Sequence, residues 1–304
     1  MKLLIDTDGG LDDAVSILAT INFLPPGTVV AITTVYGNVD LHQATFNVKK
    51  VLEISKDPTI PVYSGAHKPL VSDLTVERWD GHGPDGLGGA VGIAPAPAGP
   101  QPNDAVHALI KYANMYPGEL VLLPIGPATN IALATAIDPT FALKVAEVLY
   151  MGCTSKGMGN ITPHAEFNVA CDPEAVQMML DAFGHKVTVV SWELTTEHGL
   201  SWSTYDELTS YDTQLSKFLK AICASFEEHK DTTPFVVCDA YAAAILIHPD
   251  YVLESKRATC RVELAAGPTR GACHWTDATT GTKIVLRVDT TKFVDMLRRL
   301  VQSY

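Results

Sequence analysis

Short, almost unbroken apolar runs that alternate with helix-periodic stretches constrain this chain more than any other feature. Residues 3–5, 29–33, 120–123, 145–151 and 187–190 are nearly continuous in hydrophobicity and collectively rich in β-branched side chains. Strands of that kind are buried on both faces, as in a mostly parallel sheet covered by helices. The stretches between them, 12–20, 44–54, 105–116, 131–137 and 174–183, carry apolar residues at helical spacing. Strand and helix in turn predict an α/β layered fold, a mostly parallel central sheet flanked by helices. Helices over 214–228, 239–247 and 291–301 and strands over 260–264 and 284–288 extend it.

Length alone suggests two domains for 304 residues, at roughly 150 residues each. No shift in composition and no internal repeat divides the chain, so a single domain over 1–304 is expected. One segment breaks the rhythm: 79–102 holds seven glycines and five prolines. A loop of that length inside an α/β unit reads as a lid or wall beside a site. With 22 basic against 34 acidic side chains and a net charge of −12, the chain is a poor match for a phosphate backbone. Its six cysteines form no Cys-x-x-Cys pair, which suits reduced thiols. The N-terminal residues turn acidic at Asp6 before any signal-type apolar region, and the apolar stretch 240–247 is too short to span a bilayer. A cytoplasmic protein without a membrane or nucleic-acid partner is expected.

The chemistry concentrates in Leu3-Leu4-Ile5-Asp6-Thr7-Asp8-Gly9-Gly10-Leu11-Asp12-Asp13. An apolar strand delivers Asp6 and Asp8 at its carboxyl end, two glycines turn the chain, and Asp12 and Asp13 open a helix. Ligands of open α/β sheets bind at that edge. A helix N-terminus offsets only about 0.3–1 kcal/mol per carboxylate, too little for four of them within eight residues. The cluster therefore calls for a cation, and all-oxygen donors select Ca²⁺ or Mg²⁺. An EF-hand loop does not fit, because its glycine and closing glutamate are out of place. A haloacid-dehalogenase-type phosphohydrolase, Mg²⁺-dependent and using Asp6 or Asp8 as nucleophile, is the alternative. Gly10 stands where that family has threonine, and Asp12-Asp13 is a pair it does not need.

The segment also resembles the opening Asp-x-Asp-x-x-x-Asp-Asp signature of the inosine–uridine-preferring nucleoside hydrolases, and further blocks follow in order. Thr33-Thr34-Val35-Tyr36-Gly37-Asn38 is similar to the family's second strand and its asparagine. His82-Gly83-Pro84-Asp85-Gly86 is similar to its His-Gly-x-x-Gly loop, and Pro124-Ile125-Gly126-Pro127-Ala128-Thr129-Asn130 to its Thr-Gly-Pro-x-Thr-Asn turn, with Ile125 where the family usually has threonine. Gly159-Asn160-Ile161-Thr162, Ala165-Glu166-Phe167-Asn168 and Asp172-Pro173-Glu174-Ala175 match its central block, and Cys238-Asp239 its late aspartate. The resemblance implies a Ca²⁺-dependent ribonucleoside hydrolase that releases ribose and free base in nucleoside salvage. It implies Asp8, Asp13, Asp239 and the main-chain carbonyl of Ile125 as metal ligands. Asp12, Asn160, Glu166 and Asn168 would hold the ribose hydroxyls, with Asn38 supporting the metal site. A homodimer or homotetramer is implied in the same way.

Cleaving an N-glycosidic bond requires a positioned water, stabilisation of an oxocarbenium-like sugar and help for the departing base. Asp8 is the general base on this reading. Where many relatives carry histidine before the late aspartate, this chain has Cys238, as in a Cys-bearing subgroup. A thiol is a weak hydrogen-bond donor, so Cys238 reads equally as a small apolar wall residue. His82 and His229 are alternative contacts to the base, and Phe167 is a candidate for its pocket. Gly81-His82-Gly83-Pro84-Asp85-Gly86 formally spells a dinucleotide fingerprint, but it follows a charged stretch rather than a strand.

Overall fold

The computed structural model describes residues 1–71, 76–90 and 104–303. In chain order the elements are β1 (Lys2–Thr7), α1 (Leu11–Phe23), β2 (Val29–Thr34), α2 (Leu41–Glu53), β3 (Val62–Ser64), α3 (Ala105–Met115), β4 (Leu120–Pro124), α4 (Thr129–Ile137), α5 (Phe141–Lys144) and β5 (Glu147–Met151). They continue with α6 (Phe167–Cys171), α7 (Pro173–Phe183), β6 (Val187–Val190), α8 (Trp192–Glu197), α9 (Trp202–Leu208), α10 (Gln214–Ile222), α11 (Cys238–Ile247), β7 (Val252–Val262), β8 (Cys273–Asp277), β9 (Thr282–Val288) and α12 (Thr290–Val301).

Among the described residues the strands form one nine-stranded sheet in the order β3-β2-β1-β4-β5-β6-β9-β7-β8. All pairs from β3 to β9 are parallel, and β7 runs antiparallel to both β9 and β8. From β1 the chain winds outward through β2 to β3, then returns to build β4, β5 and β6 on the other side. Strand order therefore reverses between β1 and β4, and a crevice opens at their carboxyl ends. Asp6 sits in register with Thr33 on one side and Pro124 on the other, at the head of that crevice.

Helices cover both faces, as the unbroken apolar runs require. One core layer packs α1, α2, α10, α11 and α12 on the sheet, and the other packs α3, α4 and α7. Helix α11 (Cys-Asp-Ala-Tyr-Ala-Ala-Ala-Ile-Leu-Ile) is apolar around its circumference, which is the composition of a fully buried helix. Side-chain caps fix several helix starts: Asp40 accepts from the Gln43 N–H at 2.9 Å, and Ser191 from that of Leu194 at 3.3 Å.

The architecture agrees with the sequence expectation, and several boundaries do not. The helix expected over 214–228 stops at Ile222, and Phe226–His229 forms a separate 3-10 turn. The strand expected over 260–264 is the end of a longer one, Val252–Val262. Its outer half is mostly exposed and carries Glu254, Lys256 and Arg257, because an antiparallel strand with a wet face does not read as an apolar run. β3 and β8, short edge strands, left no such run either. Of the 79–102 loop, residues 79–90 are described and hold a 3-10 turn at Asp80–His82; the remainder, from 91 on, lies outside the described residues. Among the described residues, no helix is long and apolar enough to cross a membrane.

Candidate active site

At the end of β1 the carboxylates separate into different environments. Asp6 faces its own sheet: its Oδ1 accepts from Thr33 Oγ1 at 2.5 Å and from Asn130 Nδ2 at 2.8 Å, and burial pushes its carboxyl up to about 7. Asp8 accepts from the Asn38 main-chain N–H at 2.8 Å and from Asn38 Nδ2 at 3.1 Å. Asp13 accepts from the N–H of Gly10 at 2.8 Å, the N–H of Asp8 at 3.2 Å, Asn38 Nδ2 at 3.3 Å and the Thr7 hydroxyl. The glycines make this packing possible. Gly9 adopts φ +72°, and a Cβ there would lie 2.7 Å from the Ala44 Cα; one on Gly37 would fall 2.0 Å from Asp8 Oδ2.

Asp12, Asp13 and Asp239 each bring one carboxylate oxygen within 4.8 Å of the others, all three being buried. Asp8 lies beside this triple rather than in it. Burial is the main cause that raises the pKa of every member, and like charge adds to it in Asp8, Asp13 and Asp239. Asp8 and Asp239 lie well above the usual carboxylate range, and Asp12 rises to about 6. Among the described residues no lysine or arginine forms an ion pair with these four. His82 Nδ1 lies 3.9 Å from Asp12 Oδ1, but burial lowers its imidazole to about 4, so it brings no charge at neutral pH. Its Nδ1 accepts the Leu11 N–H at 3.3 Å, which places the ring proton on Nε2. Asp12 Oδ1 is buried and has no hydrogen-bond partner. An orphaned oxygen inside an uncompensated group of carboxylates fits a hard divalent cation.

The cluster opens on a cleft of about 550 Å³, a volume in the range of small-molecule sites. Asp12 and Asp239 line it together with Asn38, His82, Ile125, Asn160, Glu166, Phe167, Asn168 and Cys238, while Asp8 and Asp13 are wholly buried behind. Glu166 caps α6, accepting from the N–H groups of Asn168 (2.8 Å), Val169 (3.1 Å) and Cys153 (3.0 Å); burial still pushes its carboxyl up to about 8. Asn168 Nδ2 donates to the Met151 carbonyl at 3.1 Å. Cys238 opens α11, where Thr195 Oγ1 donates to its sulfur at 3.3 Å; burial and the Asp12 charge hold the thiol well above its ordinary pKa.

An apolar wall completes the cleft: Trp79, Trp192, Phe226 and Val236. Trp79 stands edge-on to both Phe226 (4.9 Å) and His82 (5.2 Å). His229 does not line the cleft. Its ring tilts against Trp79 at 5.5 Å, and its Nε2 lies 3.4 Å from Asp80 Oδ1. Trp192, Phe226 and Val236 were not singled out for the site by the sequence. Trp192 follows Ser191, a helix cap at the carboxyl end of β6, and that position on a parallel strand was the available signal.

Comparison with known proteins gives a consistent result. The family model described as "Inosine-uridine preferring nucleoside hydrolase" matches residues 3–295. Uridine nucleosidase 1 of Arabidopsis thaliana is 33% identical over 276 residues, 90% of this chain and 80% of that protein. The inosine-uridine preferring nucleoside hydrolase of Crithidia fasciculata is 29% identical across 98% of both chains. The solved structure of an inosine-guanosine nucleoside hydrolase superposes with a TM-score of 0.89 at 32% identity, covering 99% of this chain and 98% of that one.

Proposed function

The chain belongs to the inosine-uridine preferring nucleoside hydrolase family, and from that premise we propose that it hydrolyses the N-glycosidic bond of ribonucleosides with the help of one bound Ca²⁺. The observation that carries the proposal is the buried, uncompensated group of Asp8, Asp12, Asp13 and Asp239 beside a nucleoside-sized cleft. Asp8, Asp13, Asp239 and the Ile125 carbonyl would hold the ion, and Asp12 is close enough to share it. Bound there, Ca²⁺ lowers the pKa of a water and fixes its position.

The protein's own groups do the rest. Asp8, oriented by two hydrogen bonds from Asn38, takes a proton from the attacking water as general base. Asp12, Asn160, Glu166 and Asn168 bind the ribose hydroxyls, and their negative ends stabilise the positive charge that develops on the sugar. Phe167 and the wall of Trp79, Trp192 and Phe226 take the flat base and keep water from it. His82, neutral with its proton on Nε2, offers the base a hydrogen bond. Cys238 remains a thiol and contributes shape rather than acid.

Six free cysteines support a reducing, cytoplasmic setting. A homodimer or homotetramer belongs to the same reading, and light scattering after gel filtration measures it. Incubating the protein with a panel of purine and pyrimidine nucleosides tests the activity. Ribose and free base should appear in equal amounts from at least one of them. Phosphate release from phosphate esters, with no ribose from any nucleoside, would instead favour the aspartyl phosphohydrolase reading.

A further inference from the structure

The loop that follows β5 carries Asn160 to the cleft, yet residues 152–166 contain no helix or strand. Its far end is held locally: the Asn160 and Ile161 N–H groups both reach the Ala165 carbonyl at 3.2 Å, and that of Gly159 reaches Pro163 at 3.1 Å. Its near end is held from other elements, by Trp275 Nε1 on the Thr154 carbonyl at 2.6 Å and, over residues 155–158, chiefly by one carboxylate. Glu193, in the first turn of α8, is 1% exposed. Its Oε1 accepts the N–H groups of Lys156 (2.8 Å) and Met158 (3.1 Å), and its Oε2 those of Ser155 (N–H at 2.7 Å, hydroxyl at 3.2 Å). Ser191 Oγ adds a contact to Ser155 Oγ at 2.9 Å, and the Trp192 N–H reaches the Cys153 carbonyl at 3.1 Å. Between these anchors the chain is open to solvent at Met158, which is 58% exposed.

Glu193 itself does not line the cleft, but its neighbour Trp192 does, and so does Asn160 at the end of the braced loop. Glu193 therefore supplies four of the hydrogen bonds that set the distance between an aromatic wall of the cleft and a sugar-binding candidate. We infer that Glu193 is a positioning residue for substrate binding: by bracing residues 155–158 it aims Asn160 at the ribose. The inference rests on the nucleoside hydrolase reading of the cleft. A carboxylate suits the task because two acceptor oxygens serve four donors. A glutamine has one such oxygen and would turn an NH₂ toward donors.

The test compares the wild type with Glu193→Gln and Glu193→Asp by steady-state kinetics on the best nucleoside and by hydrogen–deuterium exchange of the 155–163 segment. For Glu193→Gln, exchange in that segment should rise, and KM should increase by about tenfold while kcat changes by less than about threefold. Glu193→Asp keeps both oxygens and should recover part of the KM. Faster exchange with unchanged KM would overturn the inference, as would unchanged exchange or a loss confined to kcat. Should the variant fail to fold, Glu193→Asp carries the same comparison. The exchange readout needs no substrate. If the wild type hydrolyses no nucleoside, the functional reading fails, while exchange still decides whether Glu193 holds the loop.

Discussion

Five aspartates at this site share one residue type and have different work, because their partners differ. Asp6 is tied through Oδ1 to Thr33 and Asn130 inside the sheet, whereas Asp8 is aimed by Asn38 and Asp12 lines the cleft with its Oδ1 free of hydrogen bonds. Replacing Asp8 by asparagine should therefore lower kcat by about 10²- to 10⁴-fold, the range for loss of a general base; steady-state ribose release measures it. Cys238→Ala should change kcat/KM by less than about fivefold, since a thiol held well above its ordinary pKa is a poor proton donor. A loss of a hundredfold or more would return Cys238 to the leaving-group role. Asp6, Asp8, Asp12 and Asp13 were legible because they are neighbours in sequence, and Asp239 only through the family resemblance. Trp192 and Phe226 were not, because only folding brings α8 and the Phe226–His229 turn to the same cleft as β1.

At the scale of elements, the turn between β1 and α1 decides whether the cluster forms at all. Gly9 needs its left-handed φ and has the Ala44 backbone against it. Gly9→Ala should cost about 2–4 kcal/mol of stability, from backbone strain and overpacking together, read as a lowered midpoint in urea unfolding. Parallel strands β1, β2, β4, β5 and β6 announced themselves because both faces are covered, leaving few polar residues such as Glu147 and Thr188 to interrupt them. The same rule hid the outer half of β7, beyond the expected 260–264, and all of β8. With one face in solvent, Glu254, Lys256 and Arg257 broke the apolar run, and an antiparallel end to the sheet had no signature. Helix α10 ended early because Phe226 and Phe235 join Trp79 and Trp202 in an aromatic cluster, a tertiary demand that local periodicity does not contain.

For the whole molecule, the reversal of strand order between β1 and β4 collects buried acid at one end of the sheet, and this ties stability to pH. Asp12, Asp6 and Glu166 have folded pKa values raised to about 6, 7 and 8. A raised carboxyl binds its proton more tightly folded than unfolded, so its contribution is complete below the unfolded pKa and is lost as pH rises through the folded one. The metal-free protein should therefore melt at progressively lower temperature from about pH 5 to about pH 8. Added Ca²⁺ should raise the melting temperature most at the alkaline end, where it no longer competes with protons for the aspartates. Differential scanning calorimetry across that range reads both effects.

The most direct measurement of the central claim is ribose release from inosine and uridine by protein stripped of divalent ions with a chelator, then titrated with Ca²⁺. Activity should vanish on stripping and return as Ca²⁺ saturates a single site per chain, with Asp239→Ala abolishing the return. Full activity in the stripped protein, unchanged by added Ca²⁺, would contradict the account.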